Sequence, residues 1–522
     1  MVLLGFHRFL LFNLVMVSLY CFVLFCIIIA SYVYLRSFRR LPLSPGPQGH
    51  FFRGVKHLLP TSEPWKTYAT WADYFGDAVI SFRVYNRRII VLNSATAVRD
   101  LLEQRAAIYS DRPKSWMFHE ICDRKKSVFN ISSSDARHSQ YRRLMHTGLS
   151  ARATREYWPL LQSEAVKLLD GLFSSPDKYE NHIRTNATAV IMKMAYGYST
   201  GPDDLFVQVA EESSKISGWA TAPGRWLVDY YPIVRFFPSW MPGARWKRQG
   251  EAWRKRLNIL SSVPHEWVKQ QMASGSYIES FTSRHLQPDG KTMVGSEQED
   301  IIKWAAGGLY AGAADTTVSA TLSFIHLMAL YPQVQDKVQA ELDAVVGHEH
   351  LPHPSDLDRL TYLSAVVREV LRFAPVANLA LPHSVIQDDE YNGYRIPKDS
   401  TIVANVWAIM HDPELYPDPF TFSPDRFMAV DDTKSRSYHG CHPDPRTFAF
   451  GFGRRTCPGV HFAITSMMLN MASILSKFHF ALPPGKLVRP EIRFTTGITS
   501  HIELFDIIIT PRQCRDPMSE DS

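Results

Sequence analysis

Cysteine is scarce in this chain of 522 residues: there are six, and none forms a CxxC pair or a Cys/His metal-site spacing. A disulfide framework and a zinc-ribbon fold are therefore excluded. Net charge is small as well, +6 from 57 basic and 51 acidic side chains, so nothing supports a nucleic-acid surface. Also missing are a GxGxxG turn between strand and helix, a P-loop and any internal repeat. The chain thus has no motif for holding a flavin or NADPH of its own.

What is present is apolar bulk, 45% hydrophobic and 12% aromatic, which permits a large core. Helical periodicity runs over Ala151 to Leu172, Trp253 to Met272, Ile301 to Leu330 and Val334 to Val346. Short strands are expected over Ala78 to Leu92, Arg395 to Ala404 and Ile502 to Thr510. From Phe9 to Leu35 no side chain is charged, a run of roughly 40 Å as a helix, longer than the ~30 Å hydrocarbon core. Residues 1–36 read as a transmembrane anchor, since a cleaved signal has a shorter apolar region ending at a small-residue site. Arg36, Arg39 and Arg40 follow the run and only His7 and Arg8 precede it, which places the bulk of the chain in the cytosol. Residues 37–50, basic and proline-rich, form a stiff hinge ahead of one large domain, 51–522. On that topology the sequons at Asn130 and Asn186 are chance matches.

Chemistry concentrates at Cys457, in Phe450-Gly-Phe-Gly453-Arg-Arg455-Thr-Cys457-Pro-Gly459. Positive charge and uncovered backbone N–H groups lower a thiol pKa, and a thiolate is one of the few axial ligands given to heme iron. The pattern Phe450-x-x-Gly453-x-Arg455-x-Cys457-x-Gly459 resembles the heme-binding loop of the cytochrome P-450 family. Three other stretches are similar to that family. Glu369-Val-Leu-Arg372 places two charges on one helix face, and Pro424-Asp-Arg426-Phe resembles the segment whose arginine completes a buried Glu-Arg-Arg cluster. Gly312-Ala-Ala-Asp315-Thr316-Thr317 resembles the oxygen-side helix, with Ala313 where the family usually has a second glycine. His138-Ser-Gln-Tyr-Arg142 stands where the family carries Trp-x-x-x-Arg, with His138 in place of tryptophan, and His383 occupies a place often held by a propionate-binding Arg or His.

The resemblance implies a mainly α fold with a small β-sheet region and heme b as cofactor. Cys457 is then the iron ligand, and Arg455, Arg142, His138 and His383 bind the propionates; Phe450, Gly453 and Gly459 shape the loop. Asp315 and Thr316 deliver protons for O2 cleavage, and Glu369, Arg372 and Arg426 hold the fold. It also implies monooxygenation of a lipophilic small molecule, such as a fungal terpenoid or polyketide. NADPH acts only indirectly, through a reductase and optionally cytochrome b5, at the endoplasmic reticulum membrane. A reductase-independent heme-thiolate isomerase or dehydratase and a non-enzymatic heme sensor are the alternatives, and the Asp315-Thr316 pair argues against both. The aromatic-rich stretch from Trp219 to Trp246 reads either as a lipid-facing entrance or as core.

Overall fold

The computed structural model describes residues 41–201, 204–428, 442–485 and 490–512, together with isolated positions between 16 and 28. Most of the expected anchor, its flanking arginines, Cys21, Cys26, Cys441, Cys514 and the polar tail lie outside the described residues. Two compact units emerge, one combining 1–44 with 387–398, the other holding 45–386 and 399–522. In the first, strands Asp389–Tyr391 and Tyr394–Ile396 form an antiparallel hairpin. Asn392 and Gly393, both at positive φ, make its turn, and the Arg395 N–H donates to the Pro42 carbonyl at 2.9 Å.

The second unit is mainly helical. Its long helices are α1 (Ala136–Leu149), α2 (Trp158–Ser174), α3 (Tyr179–Tyr196), α4 (Leu205–Thr221), α5 (Arg245–Ser274), α6 (Ser296–Leu330), α7 (Pro332–Val345), α8 (Thr361–Phe373) and α9 (Val460–Lys477). α6 is the axle, packed against α3, α5, α4, α1 and α9. Glu297 and Glu299 in its first turn complement the helix dipole, and it stops before Pro332, which opens α7. This helix alone among the described residues is long and apolar enough to cross a membrane, yet 78% of its most apolar window is buried in protein. It is a core helix.

Three expected elements are longer or more broken than periodicity suggests. The helix expected from Ala151 is two, Ala151–Glu156 and α2, because Tyr157 leaves the regular path (ψ 0°) ahead of Pro159, which has no N–H to continue the ladder. α5 starts eight residues before Trp253, in a basic turn of Arg245, Lys247 and Arg248 that carries no apolar period. Ile502 to Thr510 contributes only Ile508–Pro511 as strand, paired with Phe478–Ala481.

The main sheet has four strands. β1 (Val79–Val84) and β2 (Arg87–Leu92) form a hairpin turning at Tyr85, φ 52°. β3 (His383–Ser384) and β4 (Thr401–Ala404) complete the order β1-β2-β4-β3, with β2 and β4 parallel. The sequon residue Asn186 is buried, donating to the Glu164 carbonyl and accepting from Asn470, so folded protein offers no acceptor amide there.

Candidate functional site

The Cys457 loop joins the short helix Arg446–Ala449 to α9. It closes on itself through the Cys457 N–H, which donates to the Phe450 carbonyl at 2.7 Å. Phe452 is buried beneath it and Phe450 half-buried. A Cβ on Gly453 (φ 53°) would stand 2.3 Å from the Leu102 carbonyl oxygen, so only glycine lets the loop lie on that segment. Gly459 is different: a Cβ there would meet Cys457 Sγ at an ordinary 3.9 Å. What Gly459 supplies is its N–H, hydrogen-bonded to the sulfur at the start of α9.

Burial pushes the Cys457 thiol up, opposed by that N–H and by the Arg142 guanidinium, and burial prevails. The devices expected to lower the thiol pKa are thus present but insufficient by themselves. A coordinated metal cation deprotonates a thiol outright, so the loop is arranged to favour a bound thiolate over a free one.

Beside the loop lies a cluster of basic side chains, Arg112 and His383 buried and Arg142, Arg455 and His138 half-buried. Arg455 donates to the Ser110 and Ile131 carbonyls at 2.8 and 2.5 Å, and Arg142 to the Thr456 carbonyl at 2.5 Å. His383 on β3 donates from Nδ1 to the Tyr109 carbonyl at 2.8 Å. Arg112, which sequence reasoning missed, donates to the Phe129, Leu381 and Pro382 carbonyls at 3.0, 2.6 and 2.7 Å. Nothing in the local run around Arg112 signals this, since its partners come from two distant segments. Burial, then repulsion from Arg455, lowers the Arg112 pKa to about 9. Burial together with Arg455, Arg142, Arg112 and Arg454 takes His138 down to about 4. Asp111 is the carboxylate that offsets Arg112 and Arg455, and it also accepts from the Ser133 N–H. Positive charge therefore exceeds negative in a partly buried volume, which favours binding of an anion there.

Glu369 and Arg372, both fully buried on α8, form a bidentate pair at 2.7 and 2.8 Å. Arg426 reaches the same carboxylate at 3.2 Å, and the Ser423 N–H donates to it at 2.8 Å. Arg372 spends its remaining donors on the Met410, Pro419 and Thr421 carbonyls. The expected Glu-Arg-Arg cluster is assembled, with both guanidiniums on the one carboxylate.

On α6 the Thr316 hydroxyl donates back to the Gly312 carbonyl at 2.9 Å. Gly312 has a second use, because a Cβ there would sit 2.9 Å from the Phe129 ring. Asp315 turns elsewhere, accepting from Ser214 on α4 at 2.8 Å and from His501 at 2.9 Å. Ser214 and His501 are also residues that sequence reasoning missed.

The chain matches the cytochrome P450 family model over residues 44–509. It belongs to the cytochrome P450 family. It is 38% identical to cytochrome P450 monooxygenase 208 of Postia placenta, over 91% of this chain and 92% of the relative. It is 34% identical to cytochrome P450 monooxygenase claR of Ampulloclitocybe clavipes (91% and 87%) and to tryptamine 4-monooxygenase of Psilocybe cyanescens (92% and 95%). As a fungal-type P450 it is a monooxygenase, an oxidoreductase that uses a heme iron with a cysteine thiolate ligand and electrons supplied by a reductase. The residues present fit that group: heme propionates bring the negative charge that Arg112, Arg142, Arg455 and the two histidines lack.

Proposed function

We propose that this P450 oxidises a lipophilic small molecule of secondary metabolism, with Cys457 as the iron ligand and Arg112, Arg142, Arg455, His138 and His383 around the propionates. When bound, the heme supplies the redox chemistry that activates O2. The chain's own residues orient the substrate, exclude water, and move protons through Asp315 and Thr316. The observation that carries this reading is the excess of positive charge on Arg112, Arg142 and Arg455 beside Cys457, an anion site with a thiol at its edge.

The substrate class rests on the lining that family analogy points to. Val128 and Phe129 lie against Gly308 and Gly312 of α6, and Val376 and Leu379 join partly buried core. None carries a charge to grip a polar molecule, and the relatives named above include a tryptamine 4-monooxygenase, so small organic substrates are within the family's range. Membrane attachment is part of the proposal: residues 1–36 as a single-pass endoplasmic reticulum anchor, 37–50 as hinge, and 51–522 as a cytosol-facing domain. Ile233, Phe236, Phe237 and Trp240, exposed between α4 and α5, suit a lipid surface, whereas Trp253 is core. NADPH-cytochrome reductase, with cytochrome b5 as a second donor, is the proposed partner.

The test is the reduced, carbon monoxide-treated protein. A thiolate-type absorption band is expected, absent in Cys457→Ala; a histidine-type band in the unaltered chain overturns the assignment. NADPH-dependent and reductase-dependent product formation from a panel of lipophilic compounds checks the substrate class.

A further inference from the structure

Asp315 and Thr316 are neighbours whose polar groups are engaged separately, and the partners of Asp315 come from far along the chain. Oδ2 accepts from Ser214 Oγ at 2.8 Å, and Oδ1 accepts from His501 Nε2 at 2.9 Å. His501 is held in place by its own loop. Its N–H donates to Thr495 Oγ1 at 2.9 Å, and the Thr495 N–H returns to the His501 carbonyl at 2.8 Å. One residue before, Ser500 is pinned on both sides: its N–H donates to the Val376 carbonyl at 2.8 Å and its carbonyl accepts from Ser319 Oγ of α6 at 2.5 Å. The ring is thus presented to Asp315 by a loop tied to the same helix. His501 Nδ1 is buried without a hydrogen-bond partner, so both the Nε2–H tautomer and the imidazolium offer an N–H to the carboxylate.

A cleft opens on Asp315 from between α3 and α6. It has a volume of about 20 Å³ and is lined by Arg184, Thr188, Tyr310 and Asp315 among others. That space admits one water, and these polar side chains are of the kind that hold one. Arg184 is paired with Glu180 at 2.7 Å.

We propose that His501 and Ser214 are positioning residues that fix the Asp315 carboxylate on this cleft, so that protons bound for Thr316 enter between α3 and α6. The proposal rests on the reading of Asp315 and Thr316 as the proton-delivery pair. The carboxylate takes a proton relayed from bulk solvent through the cleft water, which is reprotonated as it gives one up, and its bond to His501 loosens. It turns and gives that proton to the Thr316 oxygen, which releases its own hydroxyl proton onward. No electrons move in these steps, and the carboxylate ends ionised as it began. Burial alone would raise the Asp315 pKa, but His501, with Ser214 and Thr499, outweighs it and holds the carboxyl below its ordinary value. The groups facing it are therefore Arg184 and Thr188 of α3, Ser214 of α4, Tyr310 of α6, and Thr499 and His501 of the loop.

The experiment uses the full chain with heme and reductase, without added substrate, and measures NADPH consumed, hydrogen peroxide released and the solvent isotope effect. Every variant is first matched to the unaltered protein by its reduced carbon monoxide spectrum. Poor proton delivery diverts reduced oxygen to peroxide instead of water. Asp315→Asn is expected to slow NADPH oxidation about tenfold and raise the peroxide share; no change there overturns the delivery pair itself. His501→Leu is expected to move the same way, and His501→Gln, whose amide keeps an N–H for Asp315, to restore most of the loss. If Asp315→Asn is impaired and His501→Leu is not, or Gln fails to rescue, the positioning role is wrong while the delivery pair stands. Thr188→Val is expected to change the solvent isotope effect, and an unchanged value removes the cleft as the route. Independently of turnover, unfolding midpoints of Asp315→Asn, His501→Leu and the double variant are expected to be non-additive; strict additivity overturns the contact.

Discussion

Among the described residues an arginine cluster around Glu369 and another beside Cys457 differ in one respect. Around Glu369 both guanidiniums share a carboxylate, and Arg372 is bonded to carbonyls on its remaining side. Beside Cys457, the hydrogen bonds of Arg112, Arg142 and Arg455 go to carbonyl oxygens, Asp111 offsets part of the charge of Arg112 and Arg455, and their neighbours His138 and His383 are driven toward the neutral form. A cluster whose guanidiniums converge on a buried carboxylate holds the fold. One whose guanidiniums are bonded to carbonyls is a place for an anionic ligand.

The largest expected effect breaks the cluster built on Glu369. Glu369→Leu strands the guanidiniums of Arg372 and Arg426 and should cost about 3–5 kcal/mol, seen as a lower urea midpoint and loss of heme-loaded protein. Replacing Glu369, Arg372 and Arg426 together by leucine should cost less than Glu369→Leu alone, because Glu369→Leu strands two guanidiniums and the triple variant strands no charge. If the triple variant is the worse, the two clusters do not differ in the way their partners require.

The cluster beside Cys457 should respond in the opposite sense. Arg112→Leu or Arg455→Leu removes a repelled cation, so heme retention should fall by more than apoprotein stability does. A charge-assisted hydrogen bond to a propionate corresponds to about 1.5–3 kcal/mol, or roughly 10- to 100-fold faster heme transfer to an apomyoglobin acceptor. Equal losses with and without heme would make this cluster structural too.

The smallest effect is a dependence on acid. His119, His138 and His326 have folded pKa values lowered to about 4, from 6.5, with burial the first cause in each. Between those values the unfolded chain binds more protons than the folded one, so stability is present above about 6.5 and is lost as pH falls toward about 4. The melting temperature of the apoprotein should fall across that window. Heme should blunt the part due to His138, because propionates favour its protonated form; identical apo and holo slopes would separate His138 from the ligand site.

Much of this was legible locally. The Cys457 loop, Glu369 with Arg372, and Asp315 with Thr316 are each spelled within ten consecutive residues, and the structure places each where a short motif can place it. His138 in place of tryptophan still joins the cation cluster through its neighbour Arg142. Element boundaries were less legible, because the basic first turn of α5 and the break at Tyr157 do not show in apolar periodicity.

What the sequence by itself determined is the chemistry available: one thiol among glycines and arginines, a paired acid and hydroxyl on an apolar helix, and a Glu-Arg-Arg set. What only the tertiary structure decided is which charges remain unanswered. Arg112 bonds to a carbonyl 269 residues away, and Asp315 to an imidazole 186 residues away. Burial and charge balance are properties of a folded neighbourhood, and residues so far apart acquire one only when the chain closes around them.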